Sequence, residues 1–148
     1  MDPQPTCYPN QPSVILIVED DLDNLILMNQ QVSLLLNCSI VTASTGKTAI
    51  ALAKSTLPDL ILLDMMLPDI DGFEVVRQLK QNAETAPIPV IAVSAMVRNK
   101  DYEQALLAGC CNYLRKPYEL ESLELLIYRC ILPPLENVAS IAGPVHAS

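Results

Sequence analysis

A chain of 148 residues with 51% hydrophobic content is long enough for one core that buries about two thirds of the unfolded surface, and it needs no second domain. With 17 acidic residues against 9 basic ones, the formal charge of -8 repels nucleic acid and anionic lipid, so neither is expected as a partner. No apolar run approaches the roughly 20 residues that span a bilayer, and the N-terminus lacks the basic region of a signal peptide, so the expected location is cytoplasmic.

Residues 1–12 carry prolines without periodicity and read as a tail. From Ser13 onward, five short runs rich in Val, Ile and Leu alternate with helical patterns, the signature of βα units around a parallel sheet. The strands are expected at about 14–18, 39–43, 60–63, 90–93 and 112–114. Leu25, Leu27, Met28, Val32, Leu35 and Leu36 give the first helix an apolar stripe, and Ala49, Ile50, Leu52 and Ala53 give the second; both stripes should pack on the sheet. A third helix, about 73–81, carries Phe73, Val75, Val76 and Leu79, and a fourth, about 99–107, is only weakly amphipathic. The fifth, about 119–131, aligns Leu120, Leu123, Leu126, Ile127 and Cys130 before Pro133-Pro134 stops it. The folded unit is thus expected over residues 13–132, with a second tail at 133–148. Five right-handed βα units most simply give a doubly wound α/β sheet of order 2-1-3-4-5.

Five cysteines (Cys7, Cys38, Cys110, Cys111, Cys130) form an odd set without CxxC spacing, so the expectation is neither a disulfide framework nor a zinc site but apolar filling. Gly109, ahead of the fifth strand, suits a positive φ angle.

In a doubly wound sheet of that order the ligand crevice lies outside the carboxyl ends of strands 1 and 3. Both of these ends are acidic: Val14–Val18 runs into Glu19-Asp20-Asp21, and Leu60–Leu63 runs into Asp64. Strand 4 ends in Ser94-Ala95 and strand 5 runs into Lys116-Pro117, so one edge collects acid, acid, hydroxyl and amine. Carboxylates held together resist joint ionisation unless a cation sits among them. Mg²⁺ fits this need, with Asp20 and Asp64 as direct ligands and Glu19 contributing directly or through water. Asp64 can then act as a nucleophile on phosphorus, Lys116 can pair with a phosphoryl oxygen, and Ser94 can donate a hydrogen bond. The sole histidine, His146, sits in the C-terminal tail and has no part in this chemistry.

These residues together resemble the receiver domain of two-component response regulators over about Ser13 to Ile131, including Val18-Glu19-Asp20-Asp21, Asp64 with Leu67-Pro68-Asp69-Ile70-Asp71-Gly72, Ser94-Ala95 and Lys116-Pro117. The resemblance implies a flavodoxin-like receiver fold in which Asp64 accepts phosphate from the phosphohistidine of a sensor histidine kinase or phosphotransfer protein. It adds the Met66 backbone carbonyl as a Mg²⁺ ligand, a switch in which Ser94 moves to the phosphoryl group while Tyr113 turns inward, and a cis Lys116-Pro117 peptide. It also implies a rearranging face of helix 4, strand 5 and helix 5, which admits a homodimer. About 16 residues follow the fifth helix, too few for an output domain, so the signal is expected to pass to a downstream protein by contact, without turnover of a separate substrate. Met66 and Met96, apolar where the family varies, are expected to limit water access to the modified Asp64.

Other readings fit less well. Gly46-Lys47-Thr48 resembles the end of a Walker A loop, but Val41 stands where that motif needs glycine, so Lys47 and Thr48 read as the surface start of helix 2. An Asp-nucleophile phosphatase of the haloacid dehalogenase type would need an acid at position 66, and a flavin carrier is opposed by the acidic crevice and by the lack of tryptophan. The remaining alternative is a pseudo-receiver, an interaction module with this fold that is not phosphorylated.

Overall fold

The computed structural model describes residues 13–95 and 98–131; the expected tails, Cys7, Met96 and His146 lie outside them. The strands are β1 (Ser13–Val18), β2 (Cys38–Ala43), β3 (Leu60–Asp64), β4 (Val90–Ser94) and β5 (Asn112–Arg115), and the helices are α1 (Leu22–Leu35), α2 (Gly46–Thr56), α3 (Gly72–Gln81), α4 (Asn99–Ala108) and α5 (Leu120–Ile131). All strand pairings are parallel and the order is β2-β1-β3-β4-β5, the topology the alternating pattern predicts. Among the described residues no helix is long and apolar enough to cross a membrane.

The central strands β1, β3 and β4 are apolar along nearly their whole length because helices cover both faces, whereas the edge strands β2 and β5 carry polar residues. Their side chains alternate between two cores. Leu16, Val18, Ile61, Leu63, Val90 and Ala92 pack with α2, α3 and α4 through Ala49, Ala53, Val75, Val76, Leu79 and Ala105. Ile15, Ile17, Leu60, Leu62, Ile91 and Val93 pack with α1 and α5 through Met28, Val32, Leu123, Leu126 and Ile127. Each fully buried Leu or Ile contributes about 2 kcal/mol by transfer from water, so β1, β3 and β4 supply much of the stability.

Two expectations are corrected. Leu27 is 50% exposed and does not pack on the sheet; apolar residues surround α1, and burial of Met28 and Val32 sets its rotation, turning Leu22, Ile26, Leu27 and Leu34 outward. The cysteines are not all isolated fillers, because Cys111 and Cys130 form a disulfide with their Cα atoms 6.6 Å apart. A separation of 19 residues concealed this pair, which meets only when α5 folds back along β5.

Gly109 has φ 119° and closes α4, as expected, and the Lys116-Pro117 peptide is cis. Gly72 opens α3 for a different reason: its N–H donates to the Met65 carbonyl at 3.1 Å, and an added Cβ would lie 2.5 Å from Met65 Cα and 2.9 Å from its oxygen. These are backbone atoms and cannot step aside cheaply. Gly72→Ala should therefore lower stability by about 2 kcal/mol or more in urea unfolding; an unchanged midpoint would show that the β3–α3 turn has slack.

Candidate functional site

Register brings the predicted residues to one edge. Val18 is level with Leu63 and Asp64 with Val93, so Glu19, one step past β1, stands beside Asp64. Ser94 is level with Arg115, and the Lys116 N–H donates to the Ser94 carbonyl at 2.8 Å, which fixes where the lysine leaves the sheet. Continuing the side-chain alternation one residue past each strand puts Glu19, Asp64 and Lys116 on the α1–α5 side, and Ser94 with Tyr113 on the other.

The Lys116 ammonium donates to Glu19 Oε1 at 2.9 Å and to Asp64 Oδ2 at 3.2 Å. The other Asp64 oxygen accepts the Met66 N–H at 2.9 Å, which sets the rotation of the carboxylate. Glu19 is 1% and Asp64 6% exposed. Burial pushes the Glu19 carboxyl above its ordinary value despite Lys116, while the Lys116 pKa is also raised, because its two carboxylate partners outweigh the burial that disfavours its charge. Exposed Asp20 completes an acidic group with Glu19 and Asp64 whose ligand oxygens lie within 4.8 Å of one another. Three carboxylates without sulfur or imidazole form a donor set for a hard cation such as Mg²⁺.

Asp21, the third acid of the run, instead caps α1 by accepting the Asp23 and Asn24 N–H groups at 2.9 and 3.3 Å. Its place just ahead of an apolar helical stripe is a readable cap signal. Ser94 is buried, and its hydroxyl shares a hydrogen bond with Tyr113. Burial pushes the Tyr113 phenol up, and its ring meets Tyr102 edge-on at 5.8 Å. The Met66 side chain is 62% exposed at the mouth of the site.

A parallel α/β sandwich with an ammonium clamped between strand-end carboxylates is the architecture of a domain that handles phosphoryl groups or metal ions at its carboxyl edge. The sequence profile of the response regulator receiver domain matches residues 15–128, and the chain belongs to that family. It is 40% identical over 103 residues to the polar-differentiation response regulator DivK of Brucella ovis, a match covering 70% of this chain and 83% of DivK. It is 39% identical over 105 residues to the response regulator PleD of Caulobacter vibrioides, covering 71% of this chain but 23% of PleD. A third relative, the transcriptional regulator RpaA of Synechocystis, is 36% identical and matched over 45% of its length. Among solved structures, the receiver domain of sensor histidine kinase PA1611 from Pseudomonas aeruginosa, with a magnesium ion coordinated in its active site cleft, superposes with a TM-score of 0.75 at 29% identity, covering 81% of this chain and 98% of that one. The Mn²⁺-bound response regulator Rcp1 gives 0.69 at 27% identity, covering 83% of this chain and 100% of Rcp1.

No local pattern announces the role of Asp69. Its two carboxylate oxygens accept the Gly46 and Lys47 N–H groups at 2.8 and 2.9 Å, so the loop after Asp64 is clamped onto the first turn of α2. Those N–H groups, Gly46 first, hold its pKa at about 2 against an ordinary 3.8. Because the folded value is depressed, the clamp contributes fully above pH 3.8 and is lost as pH falls to about 2. Asp69→Asn points an amide donor at one of the two N–H groups, so the stability gap between wild type and variant should be constant near neutrality and close over that acid range in denaturant titrations; a gap independent of pH would contradict the clamp.

Proposed function

We propose that this chain is a phosphoacceptor response regulator of a two-component or phosphorelay system, in which Asp64 takes a phosphoryl group from the phosphohistidine of a sensor histidine kinase or phosphotransfer protein. The observation that carries this reading is the Asp64 carboxylate held 3.2 Å from the Lys116 ammonium beside two further acids. Glu19, Asp20, Asp64 and the Met66 backbone carbonyl would hold Mg²⁺, and the magnesium in the cleft of the Pseudomonas receiver domain supports that assignment. When bound, the ion neutralises charge on the carboxylates and on the incoming phosphoryl oxygens.

In the transfer an Asp64 oxygen forms a bond to phosphorus while the bond from phosphorus to the donor's imidazole nitrogen breaks, and the imidazole keeps the electron pair. The Met66 N–H holds the carboxylate in orientation. Lys116 turns from its carboxylate partners to a phosphoryl oxygen, which requires no general base. Reorientation of the Ser94 hydroxyl toward the phosphoryl group would disturb its hydrogen bond with Tyr113, whose ring then moves relative to Tyr102 and α4. Modification is in this way coupled to the α4–β5–α5 face, where Leu106, Leu107 and Leu125 are exposed and a downstream protein or a second copy would bind.

The donor's approach is supported by a groove of about 370 Å³ on the α1 side, lined by Leu27, Met28, Gln31, Ala95, Lys116 and Tyr118 among others. Leu22, Ile26 and Leu27 are exposed on α1, with Leu27 in the wall of this groove, and suit an apolar helical surface carrying the phosphohistidine.

Incubation with Mg²⁺ and acetyl phosphate should add one phosphoryl mass to the intact chain, and Asp64→Asn should abolish the gain. No gain would leave the chain a non-phosphorylated interaction module. Met66 projects at the pocket mouth as an apolar side chain, so Met66→Asn, which can orient a water, should shorten the lifetime of the modified form several-fold. Decay of the phosphoryl mass after removal of acetyl phosphate measures this, and an unchanged rate would refute the shielding role.

A further inference from the structure

We infer that Cys111 and Cys130 form a reversible thiol–disulfide exchange site, which takes low-molecular-weight disulfides as oxidant and clips the last turn of α5 to the amino end of β5. The inference stands apart from the phosphoacceptor reading: Cys111 lies five residues before Lys116, about 16 Å away along an extended strand, at the opposite end of the sheet from the acidic pocket.

Both cysteines are carried by elements held in place without the bond. The Cys111 N–H donates to the Val90 carbonyl at 2.8 Å, which anchors it beside the start of β4. Cys130 is in the last turn of α5, whose Leu123, Leu126 and Ile127 are buried against the sheet. The Cα separation of 6.6 Å falls within the ordinary disulfide range, so packing alone supplies a high effective concentration of one thiol at the other. The bond is also open to reagents, since Cys111 is exposed and Cys130 half-buried.

The other described cysteines do not compete. Cys110 faces the core between α4 and the sheet, and burial pushes its thiol up to about 12, so it stays protonated although it adjoins Cys111. Cys38 is on β2, at the far edge of the sheet from β5. The neighbouring pair at 110 and 111 therefore divides its roles, one side chain filling the core and the other reaching outward to α5.

The exposures set the order of events. The Cys111 thiolate attacks a sulfur of glutathione disulfide, forming a mixed disulfide and releasing one glutathione thiolate. The Cys130 thiolate then attacks Cys111 Sγ, forming the internal bond and releasing the second. Two protein thiols are oxidised, one glutathione disulfide is reduced to two thiols, and the two protons go to the departing thiolates.

The test uses the full chain, reduced with dithiothreitol, desalted and exposed to glutathione disulfide. The expected product has lost two hydrogen masses, carries no glutathione, shows a Cys111–Cys130 link by peptide mapping, and returns to the thiol form under dithiothreitol without denaturant. Cys130→Ser should stop at one glutathione on Cys111, Cys111→Ser should form no internal link, and Cys110→Ala should leave the link intact. Amides in the last turn of α5 should exchange about tenfold more slowly in the oxidised form. Persistent glutathione on the wild type, a link through another cysteine, resistance to dithiothreitol in the folded state, or unaltered exchange would overturn the inference. Asp64→Asn should behave as wild type throughout, so failure of the phosphoacceptor reading would leave this result untouched.

Discussion

One ammonium between two buried carboxylates organises the carboxyl edge of the sheet. Glu19 and Asp64 stand side by side because β1 and β3 are neighbours in register, and their joint ionisation in a poorly hydrated place is unfavourable without a cation. Lys116 supplies that cation from β5, two strands away from β3, so the salt bridges tie three strand ends together. The same arrangement leaves the pocket responsive to charge, since any group or ion that satisfies the carboxylates releases the lysine, and any anion that engages the lysine unbalances the carboxylates.

The acids around this centre divide the work. Asp21 caps α1, Asp71 caps α3 by accepting the Phe73 N–H, and Asp69 clamps the intervening loop to α2. Gly72 lets α3 approach the Met65 backbone closely enough for a hydrogen bond. The Met66 N–H, one residue on, fixes Asp64, so the orientation of this carboxylate depends on contacts that reach back to α2 and forward to α3. Each of these acids lies close in sequence to Glu19 or Asp64, yet its partners give it a different role.

The fold was legible because buried parallel strands must be apolar on both faces, and Leu60–Leu63 or Val90–Val93 can hardly be read otherwise. Element ends moved by about one residue, as expected where caps decide the boundary. Glu19, Asp20, Asp64 and Lys116 were legible for a related reason: a charge that abruptly ends an apolar strand belongs at the sheet's edge, and strand order then brings those edges together. Leu27, Asp69 and the Cys111–Cys130 pair were not. A helix with apolar residues on every side does not declare its rotation, and contacts spanning 19 to 23 residues between a loop and a helix, or a strand and a helix, leave no local pattern.

The alternation of the sheet also decides how a change at Asp64 can reach the surface. Glu19, Asp64 and Lys116 project toward α1 and α5, whereas Ser94 and Tyr113 project toward α4, so Ser94 sits at the boundary between the pocket and the second core. The helix beyond it is lightly anchored. Among α1 to α4, only α4 lacks a side-chain cap, and it buries just Asp101 and Ala105, with Asp101 held by Arg98 from the helix's own start. Few buried contacts mean a low local cost of displacement. If Ser94 abandons Tyr113, the ring's edge contact with Tyr102 is therefore better able to shift α4 than α2 or α3, which are fixed by their caps, by Asp69 and by larger buried faces.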